Sequence, residues 1–253
     1  MKNEVKVHEV NSSNYKNRRD FLKISGLAVA GTGLLLMGCS DDDENSTPDS
    51  EQLPGLRGDT FDLGGGDLGI LSYAYALEQL EADFYTKVVN ANGFTSTFNS
   101  TEQTVLTDLY NHEVIHREFF KAAITGALNN AGLDPAKHLL PALSFNYGTL
   151  SFSNRDSVLA TAKALEDTGV KAYNGAGSSI KDGGYLLLAG KIVSVEARHA
   201  SAIRSLINPN SKDFAGDDIV GTSDGLDGAE LPSAIIPIAK GFITNEFSAR
   251  YLR

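Results

Sequence analysis

Apolar residues recur every three to four positions in four stretches of the chain, which is the spacing of an amphipathic α-helix. The four predicted helices are 68–90, 101–129, 155–176 and 184–207. Ser100 and Gln103 have the spacing of a capping box that opens the second helix, and Asn154 can cap the third. Asn208 and Pro209 end the fourth, because proline cannot continue a helix.

The connections between these helices predict how they pack. About ten residues join the first pair and about seven the second, so each pair should form an antiparallel hairpin. The link 130–154 is long enough to run back along a helix of about 33 Å. The second and third helices should therefore be parallel, and the sequence predicts a four-helix bundle over 67–207. The C-terminal extension, 208–253, contains an apolar segment at 231–247 that should pack on the bundle.

The first 38 residues have the features of an export signal. Arg18 and Arg19 precede an apolar run at 24–37 that is too short for a stable transmembrane helix. The paired arginines resemble a twin-arginine signal, a route associated with proteins exported already folded. The run ends in Leu-Met-Gly-Cys, which resembles a bacterial lipobox and predicts lipidation of Cys39. The alternative is a buried or idle cysteine that follows a single-span anchor.

Residues 39–66 are acidic at first and then contain scattered proline and glycine. This composition predicts a flexible acidic tether without a core of its own. The acidic run directly after Cys39 also resembles the surface-export signal of some Bacteroidetes lipoproteins, and a plain charged linker is the alternative.

Composition excludes several classes of protein. The chain has 253 residues, of which 42% are hydrophobic, so it is not fully disordered. Its formal net charge of -10 argues against nucleic acid as a partner. A single cysteine excludes an intramolecular disulfide and a multi-cysteine metal site, and is best explained as the lipid anchor.

One glutamate lies in the middle of the apolar stripe of each predicted helix. These are Glu78, Glu113, Glu166 and Glu196. A tyrosine follows the first and third by seven residues, at Tyr85 and Tyr173, and a histidine follows the second and fourth by three, at His116 and His199. All these spacings keep both residues on one helix face. The pattern is an internal repeat of two helical hairpins.

Four unpaired carboxylates inside one bundle would repel one another and cost several kcal/mol each. Two divalent metal ions, bound by the four glutamates and two histidines, would neutralise them. One Glu from each of two helices and a Glu-x-x-His from each of the other two is the pattern of di-iron and di-manganese carboxylate proteins. The alternative is a bundle that keeps these residues as a metal-free hydrogen-bonded network.

Other residues near these positions have weaker assignments. Tyr85 and Tyr173 can hydrogen-bond to ligand carboxylates from outside the centre, or serve as plain core aromatics. Arg198 can orient a carboxylate, although a surface arginine is favoured. Glu81 can be an extra ligand or a carboxylate on the substrate side, although a solvated or salt-bridged role is favoured. His112 lies off the inward face and is not a ligand candidate.

Several of these stretches resemble the desiccation-related ferritin-like proteins. The resemblance is carried by 70–85, 112–116, 165–173 and 195–200. It implies an all-α, ferritin-like four-helix bundle with a short C-terminal helical extension. It also implies metal ligands at Glu78, Glu113, His116, Glu166, Glu196 and His199.

The functional hypothesis that follows is an exported, membrane-tethered di-metal protein with two iron (or manganese) ions. It would oxidise Fe(II) or reduce O2 or peroxide in envelope stress defence, as a bacterial lipoprotein on the periplasmic side or the outer-membrane surface. Its partners would be O2 or peroxide, metal ions and a membrane, without nucleic acid, and a homodimer is left open. The alternative is a non-catalytic envelope structural protein. The sequence does not decide whether the centre is an oxidoreductase.

Overall fold

The computed structural model describes residues 52–252 and contains four long helices within that range. In chain order the helices are α1 (Gly66–Val89), α2 (Phe94–Thr97), α3 (Ser100–Asn130), α4 (Pro135–His138), α5 (Arg155–Gly177), α6 (Gly183–Ile207) and α7 (Pro232–Lys240). The bounds of the four long helices agree with the predicted bounds to within two residues at each end. These helices are α1, α3, α5 and α6. The prediction of an all-α bundle is confirmed.

Side-chain caps fix where the helices begin. The capping box of α3 is one residue earlier than predicted: Asn99 accepts hydrogen bonds from the backbone of Thr101 and Glu102, and Glu102 accepts one from the Asn99 amide. The predicted pair, Ser100 with Gln103, is therefore wrong, because Asn99 already occupies the capping position. Asn154 caps α5 by accepting a hydrogen bond of 2.9 Å from the Ser157 amide, as predicted.

Contacts across the bundle give the direction of its helices. Tyr173 on α5 bonds to Glu78 on α1, and Glu166 on α5 bonds to Tyr85 on α1, so residue numbers rise on one helix as they fall on the other. Helix α1 is therefore antiparallel to α5. Since α3 folds back on α1, α3 and α5 are parallel, as the long crossover predicts. Within that crossover, the Asn146 amide donates to the Phe242 carbonyl, which fixes it to the C-terminal extension.

The residues before α1 are partly structured, which corrects the prediction of a tether throughout 39–66. Strands β1 (Gly55–Arg57) and β2 (Thr60–Asp62) form an antiparallel hairpin, and β3 (Phe247–Ser248) pairs in parallel with β2. The prediction fails here because Gly58 turns the chain with a φ of 64° and Phe61 is buried, 6% exposed. Asp62 is fully buried and accepts hydrogen bonds from Ser248 and Arg250.

The C-terminal extension lies on the bundle. Ile235 and Ala239 on α7 are buried, and the Glu230 amide donates to the Lys171 carbonyl on α5. A glycine at 175 is required there, because a Cβ on Gly175 would lie 1.9 Å from the Glu230 carbonyl oxygen. The bundle and this extension therefore share one tightly packed backbone contact.

The predicted export signal and lipid anchor lie outside the described residues. Arg18, Arg19 and Cys39 all precede residue 52. Across 52–252, none of the helices combines the length and the apolar character that a membrane span needs.

Candidate metal centre

The four inward glutamates meet at the middle of the bundle. Glu78 lies on α1, Glu113 on α3, Glu166 on α5 and Glu196 on α6, and each is 0% exposed. Each helix supplies apolar neighbours on the same face, such as Leu106 and Phe120 around Glu113, which are buried as well. The helical periodicity that buries the apolar stripe therefore buries these carboxylates with it.

The first group of candidate ligands surrounds His116. Its Nδ1 atom lies 2.9 Å from Glu196 Oε1, 3.5 Å from Glu78 Oε2 and 3.6 Å from Glu113 Oε2. One ligand atom from each of these four residues lies within 4.8 Å of all the others. Ligands at about 2.0–2.2 Å from an ion can be up to about 4.4 Å apart, so the group is close to the size of one metal site.

The second group surrounds His199 in the same way. Its Nδ1 atom lies 2.8 Å from Glu113 Oε1, 3.1 Å from Glu196 Oε2 and 3.4 Å from Glu166 Oε2. These four residues also have ligand atoms within 4.8 Å of one another. Glu113 and Glu196 belong to both groups and turn one oxygen towards each histidine. The arrangement thus has two shared carboxylates between two sites, and one unshared carboxylate at each end.

The six residues of the two groups form one cluster, in which several side-chain atoms lie close together but lack the geometry of a hydrogen bond. His116 Nδ1, Glu196 Oε1 and both oxygens of Glu113 are buried, and none has a hydrogen-bond partner among the described residues. The unshared ends have one such atom each, Glu78 Oε2 and Glu166 Oε2. Buried polar atoms without partners are rare and costly in folded proteins. The positions of these atoms suit contacts with a shared cation better than hydrogen bonds to one another. The residues therefore fit a pair of metal ions.

The two tyrosines hold the unshared carboxylates from the opposite hairpin. The Tyr85 hydroxyl donates to Glu166 Oε1 at 2.5 Å, and the Tyr173 hydroxyl donates to Glu78 Oε1. Both rings are buried, and burial together with the carboxylate beside each hydroxyl holds the pKa of both tyrosines well above its ordinary value. Each hydroxyl therefore keeps its proton and continues to donate. Each hairpin therefore donates a tyrosine hydroxyl to a carboxylate of the other hairpin, as expected from the internal repeat of the sequence.

Protons compete with metal ions for this cluster. Burial alone would lower the pKa of His116 and His199, but the surrounding carboxylates outweigh it and raise both pKa values well above the ordinary one. Burial and the charge of Glu196 raise the pKa of Glu113 to about 8. Burial also acts to raise the pKa of Glu196, yet the two histidines outweigh it and lower the value to about 2. Without a metal, protons on the two imidazoles and on Glu113 would offset part of the negative charge of the four carboxylates.

His112 is the site residue that sequence reasoning missed. Its Nδ1 lies 2.9 Å from His199 Nε2, and the two rings stack with centroids 5.2 Å apart. A His199 that offers Nδ1 to a metal carries its proton on Nε2, and His112 can accept that proton's hydrogen bond. The four-residue spacing from His112 to His116 places both on one side of α3, and this spacing is the signal in the sequence that points to His112.

The structure distinguishes the roles considered for two other residues. Arg198 is exposed, as the favoured surface role predicts, and the role on a carboxylate is wrong, because two residues rotate it about 200° around α6 from Glu196. Glu81 is 3% exposed, so the favoured solvated or salt-bridged role is wrong. Its carboxylate lies against Gly169, where a Cβ would be 3.0 Å from Glu81 Oε1. Its Oε2 is buried without a hydrogen-bond partner in the described chain, and Glu81 belongs to neither candidate ligand group.

Comparison with known proteins gives one match. Residues 66–209 match the family described as a ferritin-like domain. A search of curated proteins gives no match. The matched span covers α1 to α6 and every member of the cluster, so it describes the part of the chain that carries the site. Since this span is more than half of the sequence, the chain belongs to the ferritin-like domain family.

Proposed function

We propose that this chain is a di-metal carboxylate protein, with iron as the metal, that oxidises Fe(II) at the expense of O2 or peroxide. The observation that supports this proposal is that Glu113 and Glu196 each belong to both of the histidine-centred groups. Such sharing would allow two cations to bind side by side in a buried site. Carboxylate and imidazole ligands suit both iron and manganese, so manganese is the alternative metal.

The protein residues would divide the work as follows. Glu113 and Glu196 would contribute to both metal sites, His116 and Glu78 would complete one site, and His199 and Glu166 would complete the other. When bound, two Fe(II) ions supply one electron each, so that O2 with two protons becomes hydrogen peroxide, or peroxide with two protons becomes two water molecules. The tyrosines would fix the unshared carboxylates, and the surrounding apolar side chains would exclude water.

A second function, a non-catalytic structural protein, is favoured by one observation. His199 Nδ1 lies 2.8 Å from Glu113 and 3.1 Å from Glu196, so protonated imidazoles can neutralise the carboxylates without a metal. In that case the bundle would be a scaffold in which the cluster contributes only to folding.

Metal analysis of the full chain separates these functions. After anaerobic loading with Fe(II), we expect two iron ions per chain and their oxidation by O2 or peroxide in stopped-flow absorbance. A Glu113→Ala/Glu196→Ala variant should bind neither ion, whereas Glu118→Ala, an exposed glutamate on α3, should bind both. Fewer than one ion per wild-type chain would refute the site, and two ions without turnover would favour the scaffold.

We also propose that the protein is exported and tethered to a bacterial envelope membrane through a lipid on Cys39, where it acts in stress defence. The support is the sequence alone: Arg18, Arg19, the apolar run and the lipobox stand in the order of a twin-arginine lipoprotein signal. Labelling with a fatty-acid analogue tests it. The wild type should be labelled and Cys39→Ser should not, and an unlabelled wild type would refute the anchor.

A further inference from the structure

One end of the bundle holds both the first described residue and the loop between α5 and α6. The Gln52 carbonyl accepts a hydrogen bond of 2.7 Å from the amide of Gly65, the residue that precedes α1. Asp67, in the first turn of α1, accepts hydrogen bonds of 2.9 and 2.8 Å from the amides of Lys181 and Asp182. The chain therefore reaches residue 52 at the same end of the bundle at which α6 begins.

The first part of α6 is apolar on its outer side. Leu186 and Leu187 are 46% and 61% exposed, and the half-buried Tyr185 precedes them. Between residues 183 and 195 the only charged residue is Lys191. Single exposed leucines are common on folded proteins, but two consecutive ones in a segment without an acidic residue form a continuous apolar patch. We call Tyr185, Leu186 and Leu187 the leucine face.

Two lysines flank the leucine face. Lys181 precedes Tyr185 by four residues, Lys191 follows Leu187 by four, and both lysines are exposed. The acidic residue between them, Asp182, uses its carboxylate to cap α6 by accepting a hydrogen bond of 2.9 Å from the Tyr185 amide. In a chain with a formal net charge of -10, this surface of apolar and positive groups is a local exception. Such a combination is typical of protein surfaces that lie on anionic lipid headgroups.

We propose that the leucine face lies on a lipid bilayer and inserts Leu186 and Leu187 among the headgroups. This inference rests on the proposed lipid on Cys39, which would put a membrane within reach of this end of the bundle. The 13 residues from Cys39 to Gln52 span at most about 45 Å when fully extended. The other end of the bundle lies about 36 Å further along α1, so the tether favours contact at the end with the leucine face.

The contact would fix the metal centre at a set height above the bilayer. The inner side of α6 is buried in the bundle through Ile192 and Glu196, so only its outer side chains are available to the lipid. Glu196 lies nine residues after Leu187, which is about 14 Å along the helix. The cluster would therefore stay close to the membrane surface without entering it.

A polarity-sensitive dye on a single cysteine tests the contact in the full chain. A Cys39→Ser background leaves each introduced cysteine as the only one. An N-terminal histidine tag holds this chain on vesicles of phosphatidylethanolamine, phosphatidylglycerol and a nickel-chelating lipid, so the test does not depend on lipidation. The dye is attached to Leu187→Cys or, as the matched control, to Ile207→Cys, which is 41% exposed on the same helix about 30 Å away.

The dye at residue 187 should brighten several-fold on the vesicles and be quenched by nitroxide-labelled lipid, while the dye at residue 207 should show neither change. Lys181→Glu/Lys191→Glu should reduce the response at residue 187 several-fold, because both exposed charges would then repel phosphatidylglycerol. No quenching at residue 187, or equal quenching at both positions, would overturn the inference. A change at residue 187 that needs no vesicles and grows with protein concentration would also overturn it, since a second copy would then cover the face.

The two proposals about the membrane fail in different experiments. If Cys39 takes no fatty-acid label but the dye at residue 187 enters the lipid, the anchor fails and the leucine face stands. If Cys39 is labelled and the dye at residue 187 stays in water, the anchor stands and the leucine face fails.

Discussion

The reciprocal tyrosine–glutamate bonds should contribute measurably to stability. Tyr85→Phe and Tyr173→Phe each remove one hydroxyl and keep the ring, so the packing of the core is preserved. Each hydroxyl donates to a carboxylate that is 0% exposed, Glu166 or Glu78. A plain core aromatic would lose nothing comparable, so the substitution separates the two roles considered from the sequence.

The expected loss follows from the type of bond. A hydrogen bond to a charged group contributes about 1.5–3 kcal/mol, and the acceptor left behind is buried. In a domain of this size, that loss lowers the midpoint of thermal unfolding by about 3–12 °C. The two bonds engage different carboxylates of one cluster, so the double variant should lose more than either single variant, and the two effects should not be additive.

Urea unfolding of the metal-free full chain, followed by circular dichroism, measures these losses. Tyr110→Phe, at a half-buried position on α3, is the matched control and should change stability by less than about 0.5 kcal/mol. If Tyr85→Phe and Tyr173→Phe behave like this control, the hydroxyl bonds contribute nothing and the tyrosines act only through their rings.

Three further predictions concern residues around the centre and the extension. Burial and the neighbouring carboxylates raise the pKa of Glu81 well above 4.5, so the folded chain keeps a proton that the unfolded chain loses. Its stability should therefore fall as pH rises above about 4.5, and the advantage of Glu81→Gln in urea unfolding should grow with pH; an advantage independent of pH would contradict this. His112→Ala should weaken metal binding about 10–100-fold in competition titrations and leave metal-free stability nearly unchanged; unaltered affinity would contradict its role. Gly175→Ala should destabilise the chain by about 1–3 kcal/mol and expose the segment near Glu230 to protease, whereas Gly190→Ala, with open space around its Cβ, should be neutral or stabilising; equal effects would contradict the close contact.

The helices and the buried charges could be predicted because both follow from periodicity along one helix at a time. Glu113 and His116 are one turn apart on α3 whatever the other helices do, so their shared face is a property of the sequence. A hydrogen bond from Tyr85 to a ligand carboxylate could also be predicted, because the internal repeat implies a symmetric arrangement of the two hairpins. The sequence does not predict that Glu113 and Glu196 each turn one oxygen towards His116 and the other towards His199, and the structure adds this.

The misses involve partners that are far away in the chain. Glu81 looked solvated because helical spacing gives no information about Gly169 on α5, whose missing side chain makes room for the carboxylate. The hairpin at 55–62 looked like linker because its third strand is provided by residues 247–248. The contact of His112 could not be predicted from α3 alone, because its partner, His199, lies on another helix.

The pairing of β2 with β3 has a consequence for the order in which the chain folds. Asp62 and its partner Arg250 are 188 residues apart. During synthesis β2 emerges long before β3 exists, so the sheet cannot be completed until residues 247–248 have been made. A chain that stops before β3 would keep an unpaired strand edge at β2, which is a site for aggregation.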